Sequence, residues 1–165
     1  MDTRTLLLVE DNPSDVDLTR RALSRQHIAN EMVVAGDGQE ALDYLLGIGG
    51  VVGPETAPLP ALVLLDLNLP RVDGLAILRA IRGNERTKRL PVVILTSSNE
   101  EQDVATSYDL GVNSYIRKPV DFLQFAEAIR TLGLYWLVMN EPPPKRAMQD
   151  GLTRSREGRE GYEGK

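Results

Sequence analysis

Residues 61–66, Ala61-Leu62-Val63-Leu64-Leu65-Asp66, run five apolar side chains straight into a carboxylate. A short run with no polar alternation reads as a strand buried on both faces, the kind found in parallel sheets sandwiched between helices. Upstream, residues 47–60 (GIGGVVGPETAPLP) are rich in Gly and Pro and read as a surface loop. Downstream, Leu67 to Asp73 form a loop containing Pro70. Gly74 then opens a helix that carries Ile77, Leu78 and Ile81 at helical spacing.

The same unit recurs along the chain. Residues 5–9 (TLLLV) form a strand ending at Glu10 and Asp11; Asn12 caps the next helix and Pro13 suits its first turn. Val16, Thr19, Ala22 and Leu23 mark that helix. Residues 32–35 (MVVA) are a second strand, followed by a Gly36-Asp37-Gly38 turn and a helix marked by Ala41, Leu42, Leu45 and Leu46. Residues 91–95 (PVVIL) are a fourth strand, ending at Thr96-Ser97-Ser98, with a helix over roughly 100–110. Residues 114–116 (SYI) are a fifth, ending near Lys118-Pro119, and a last helix runs from about 121 to 139. Strands alternating with helices five times imply an α/β fold with a parallel sheet. Right-handed crossovers reduce the topology to a doubly wound sheet with helices on both faces.

Composition narrows the function classes. The 165 residues favour one domain, and the apolar and charged fractions of 42% and 26% are those of a globular protein. The absence of cysteine excludes disulfides and thiol chemistry and fits a reducing cytosol. The first twelve residues hold no apolar run long enough for a signal peptide or membrane span, so a cytoplasmic location is expected. A net charge of −5 and no basic stripe argue against nucleic-acid binding. Residues 1–140 read as the domain. Residues 141–165, with three prolines and then mostly Gly, Arg and Glu, read as a disordered tail.

In open α/β sheets, ligands bind beyond the carboxyl ends of the strands. Folding would therefore gather Glu10, Asp11, Asp66, Thr96 and Lys118 at one edge. Asp11 and Asp66 are hard oxygen donors suited to Mg²⁺, which takes one or two protein carboxylates and keeps waters. Lys118 offers a fixed positive charge and Thr96 a hydroxyl, so the set can hold the oxygens of a phosphoryl group. A carboxylate can itself be the nucleophile, giving an aspartyl phosphate. Thr96 also stands where a hydroxyl could cap the next helix. His27, the only histidine, reads as a solvated surface residue near the end of the first helix.

The stretches LLLVEDNP, LLDLNLPRVDG, VVILTSS and YIRKP, in this order over residues 5 to about 135, resemble the receiver domain of response regulators. The resemblance implies the flavodoxin-like strand order 2-1-3-4-5 and a phosphorylatable switch in a two-component system, fed by a sensor histidine kinase. It implies that Asp66 is the phosphoacceptor, with Thr96 and Lys118 completing the catalytic set. The metal ligands would be Glu10 through water, Asp11, Asp66 and the backbone carbonyl of Asn68. Thr96 would be the switch hydroxyl, Tyr115 its coupled aromatic, and Lys118-Pro119 a cis peptide. The chain would be no enzyme beyond its own phosphotransfer and autodephosphorylation. VEDNPSDVDLTRRAL and an aromatic, extended last helix are similar, more narrowly, to regulators paired with bacterial phytochrome kinases.

Two rivals use the same residues. A haloacid-dehalogenase-type phosphatase needs a second acid two residues after its nucleophile, where this chain has Asn68. An unphosphorylated pseudo-receiver scaffold would have no need of all five site residues. The last helix carries Leu132, Leu134, Tyr135, Trp136, Leu137, Val138 and Met139, more than one apolar stripe. A homodimer through this helix is expected, with Trp136 as its anchor.

Overall fold

A computed structural model describes residues 4–25, 31–47, 59–98, 100–118 and 121–144. The expected Gly/Pro-rich loop lies mostly outside them, as do His27, the Lys118-Pro119 bond and most of the expected tail. The elements alternate as β1 (Leu6–Val9), α1 (Pro13–Arg25), β2 (Met32–Ala35), α2 (Gly38–Leu46), β3 (Leu62–Leu65), α3 (Gly74–Gly83), β4 (Val92–Thr96), α4 (Glu101–Asp109), β5 (Ser114–Arg117) and α5 (Phe122–Gly133). All five strands are parallel, in the order β2-β1-β3-β4-β5, as the sequence implied.

The apolar runs behave as two-sided strands. Every residue of β1, β3 and β4 is buried, whereas the edge strands β2 and β5 are only partly covered. Alternation divides the core in two. Leu7, Val9, Val63, Leu65, Val92 and Ile94 pack with Ala41 and Leu45 of α2 and with Ile77, Leu78 and Ile81 of α3. Leu6, Leu8, Leu62, Leu64, Val93 and Leu95 pack on the other face, with Ala22 and Leu23 of α1 and with Phe125, Ile129 and Leu132 of α5. Each fully buried leucine contributes roughly 1.5–3 kcal/mol relative to an exposed one.

The helix ends reflect local chemistry. Asn12 Oδ1 accepts from the Ser14 amide at 2.9 Å, as expected of a cap. Asp37, Asp73 and Asp121 cap α2, α3 and α5. Arg82, near the end of α3, donates to the carbonyl oxygens of Leu90 (2.7 Å), Lys88 (3.1 Å) and Gly111 (2.7 Å), joining the α3–β4 and α4–β5 connections at the end of the sheet away from the carboxyl edge.

The last helix departs from expectation. It is α-helical only to Gly133, and Leu134–Met139 are π-helical, closed by the Asn140 amide on the Tyr135 carbonyl at 2.6 Å. Hydrogen bonds spanning five residues bring residues five apart toward one side. Leu132 and Leu137 can thus both be buried in one core cluster. Trp136, the expected dimer anchor, is half-buried and packs against the same cluster. The exposed apolar side chains are Leu134, Tyr135, Val138 and Met139, with Leu123 earlier on α5.

Candidate phosphoryl and metal site

The sheet itself assembles the site. Parallel pairing of Val9 with Leu65 sets the next residues, Glu10 and Asp66, side by side, and the Asp66 amide donates to the Val9 carbonyl at 3.1 Å. The chain crosses over from β1 toward β2 on one side and returns to β3 on the other, so these two carboxylates flank the topological switch point. Pairing of Thr96 with Arg117 brings Lys118 one residue beyond the sheet, where its amide donates to the Thr96 carbonyl at 2.7 Å.

Asp66 is buried, with both oxygens engaged. Oδ1 accepts from Thr96 Oγ1 at 2.7 Å and from the Asn68 amide at 3.1 Å; Oδ2 accepts from Lys118 Nζ at 3.0 Å. The Lys118 ammonium also donates to Glu10 Oε1 at 2.5 Å and Asp15 Oδ2 at 2.7 Å. Burial pushes the Glu10 carboxyl up to about 7, against the opposing pull of Lys118. Burial disfavours the Lys118 charge, but the Asp15 and Glu10 carboxylates outweigh it and hold the ammonium above its ordinary value.

Glu10, Asp11 and Asp66 each place a carboxylate oxygen within 4.8 Å of the others. Three converging carboxylates repel one another, and an all-oxygen donor set of this kind suits a hard divalent cation. Asn68 is beside them and its amide touches Asp66.

The structure thus brings together Glu10, Asp11, Asp66, Thr96 and Lys118. The capping alternative for Thr96 fails: α4 begins after Glu100 with no side-chain cap, and the Thr96 hydroxyl is turned to Asp66. Tyr115 stands apart, its hydroxyl donating to the Ser98 carbonyl at 3.1 Å, and burial raises its phenol. Sequence reasoning gave Asp15 no role, although its carboxylate accepts from Lys118. It also missed Ser98, whose hydroxyl donates to Asp103 Oδ2 at 2.6 Å and ties the loop after β4 to α4.

Comparison with known proteins places this arrangement. Residues 6–130 match the model of the response regulator receiver domain. Response regulator Rcp1 of Synechocystis sp. (strain ATCC 27184 / PCC 6803 / Kazusa) is 38% identical over 134 residues, covering 81% of this chain and 89% of that protein. The crystal structure of its Mn(2+)-bound form superposes with a TM-score of 0.78, at 37% identity over 86% of this chain and 99% of that one. The phosphorylated cyanobacterial phytochrome response regulator RcpA has a TM-score of 0.79 at 37% identity, covering 87% of this chain and all of that one. The bacteriophytochrome response regulator AtBRR is 52% identical, covers 86% of this chain and all of that one, and has a TM-score of 0.65. Among the described residues no helix is long and apolar enough to cross a membrane. With the fold, the carboxyl-edge site and the family match in agreement, the chain belongs to the response regulator receiver domain family, signalling proteins that act with histidine kinases.

Proposed function

We propose that Asp66 accepts a phosphoryl group from a sensor histidine kinase and that the acyl phosphate so formed is the signal. The observation that carries this reading is the arrangement around Asp66: a buried carboxylate holding a hydroxyl donor on one oxygen and an ammonium on the other. In the transfer, a carboxylate oxygen of Asp66 bonds to phosphorus as the bond from phosphorus to the donor nitrogen breaks. Hydrolysis returns the carboxylate and inorganic phosphate. Lys118 and the Thr96 hydroxyl are placed to hold phosphoryl oxygens, so positioning and charge neutralisation do most of the work. Mg²⁺ held by Asp11, Asp66, the Asn68 carbonyl and, through water, Glu10 would supply further neutralising charge. Thr96 and Tyr115 form the switch.

Incubation with acetyl phosphate, with and without Mg²⁺, tests this reading. Label is expected only with the cation and only on Asp66, and Asp66→Asn should abolish it. Full labelling of Asp66→Asn would sink the assignment.

Kinship with RcpA and AtBRR favours a bacteriophytochrome as the kinase. Phosphotransfer profiling against the histidine kinases of the source organism tests that choice. The exposed Leu134, Tyr135, Val138 and Met139 favour a homodimer through the end of the chain's last helix.

A further inference from the structure

We propose that Asp15 is a positioning residue for Lys118, holding the ammonium in place when its other partners are engaged by the phosphoryl group and the cation. The inference rests on the reading of Asp66 as phosphoacceptor and extends it to a residue that this reading gives no role.

A lysine ammonium has three protons to donate. Here all three directions have carboxylate partners: Glu10 at the end of β1, Asp66 at the end of β3, and Asp15 in the first turn of α1. Two of the three, Glu10 and Asp66, belong to the cluster that converges on the metal site, and Asp66 is the residue to be phosphorylated. Asp15 does not belong to that cluster. It is therefore the one anchor whose bond to Lys118 need not be given up when the site is filled.

The placement of Asp15 is itself secured. Its amide lies 3.4 Å from the capping oxygen of Asn12, and its carbonyl accepts the Thr19 hydroxyl at 2.7 Å, so the first turn of α1 is fixed on both sides. The carboxylate is partly shielded, with 21% of its side chain accessible. A negative group in a first helical turn also interacts favourably with the helix dipole. Lys118 arrives on the opposite side of the site, on the connection after β5. Without Asp15, its long flexible stem would be steered only by the groups the reaction itself occupies.

The test compares the full chain with Asp15→Ala and Asp15→Asn. The asparagine keeps an oxygen acceptor for Lys118; the alanine does not. In the metal-free proteins, ¹⁵N NMR of the lysine ammonium groups reads the anchor directly. The chain has four lysines, and Lys118→Arg assigns the signal. A slowly exchanging Lys118 ammonium is expected in the parent and in Asp15→Asn, and its loss in Asp15→Ala. With Mg²⁺ and acetyl phosphate, Asp15→Ala should label about tenfold more slowly, because a displaced charge costs rate without touching the nucleophile. Asp15→Asn should recover most of that rate. Mn²⁺ affinity, followed by electron paramagnetic resonance, should be the same in all three. An Asp15→Ala protein that labels at or above the parent rate, or keeps the slow ammonium signal, overturns the proposal. A parent that fails to label points instead to the assignment of Asp66.

Discussion

The Tyr115 hydroxyl donates to the main-chain carbonyl of Ser98, two residues beyond the hydroxyl that bonds Asp66. The Ser98 amide lies 3.4 Å from Thr96 Oγ1, and its own hydroxyl is tied to Asp103 at the start of α4. A shift of Thr96 toward a phosphoryl group therefore pulls on a loop that holds both the aromatic ring and a helix. Thr96→Ala is expected to accept phosphate yet transmit little of it. The measurement is the NMR shift of Tyr115 and of α4 amides on adding beryllofluoride, large in the parent and small in the variant. An unchanged shift would leave Tyr115 as a packing residue.

Gly74 abuts the site from below. A Cβ there would sit 2.4 Å from the Asp66 carbonyl oxygen and 2.6 Å from the Leu67 Cα, both backbone atoms unable to yield cheaply. Gly74→Ala should destabilise by about 1–3 kcal/mol in urea unfolding and slow labelling by displacing Asp66. Gly83, at the other end of the same helix, has nothing within 4 Å of such a Cβ. Gly83→Ala should be neutral or stabilising by up to ~1 kcal/mol.

A cation that binds only the folded protein raises its stability, by about 2.7 kcal/mol at a hundred times Kd. Mg²⁺ should therefore raise the melting temperature of the parent, and a chelator should reverse the gain. Asp11→Ala should lose most of the response. Equal shifts in both proteins would mean that the cation binds elsewhere.

Arg82 joins two connections through a planar fork of donors, which a lysine cannot reproduce. Arg82→Lys should cost about 1–3 kcal/mol of stability by leaving carbonyls unpaired. Labelling of Asp66 in the folded fraction should be unaffected, since the residue is remote from the carboxyl edge.

Dimerisation is best probed away from Trp136, whose packing against the core would confound the result. Val138→Glu and Met139→Glu change exposed side chains only. Sedimentation at micromolar concentration should show a dimer for the parent and a monomer for the double variant, with one melting temperature for both. A monomeric parent in either phosphorylation state would reassign the surface to another partner.

The sheet and the five strand-end groups were legible because both depend on short-range pattern. LVLL and VVIL declare two-sided strands, and parallel strands deliver the residues at their carboxyl ends to one edge. Asp15 was not legible because its partner lies 103 residues away and a first-turn acid is ordinary in any helix. The inward turn of Leu137 and Trp136 was not legible because counting apolar residues assumed a uniform α-helix. The π-helical turn re-phases the side chains and carries Leu137 and Trp136 inward. Arg71, which holds φ = 69° and pairs with Asp37 across 34 residues at 3.1 Å, has no local signature either.

The ammonium that completes the site is contributed from the last strand connection, while the carboxylates it neutralises come from the first and third. A chain lacking β5 would keep the carboxylates of β1 and β3 but not the lysine that bonds them. On the proposed function, competence to take a phosphoryl group would require β5 to dock beside β4. Fragments ending before residue 114 are therefore expected to carry the acidic motif yet take no label from acetyl phosphate.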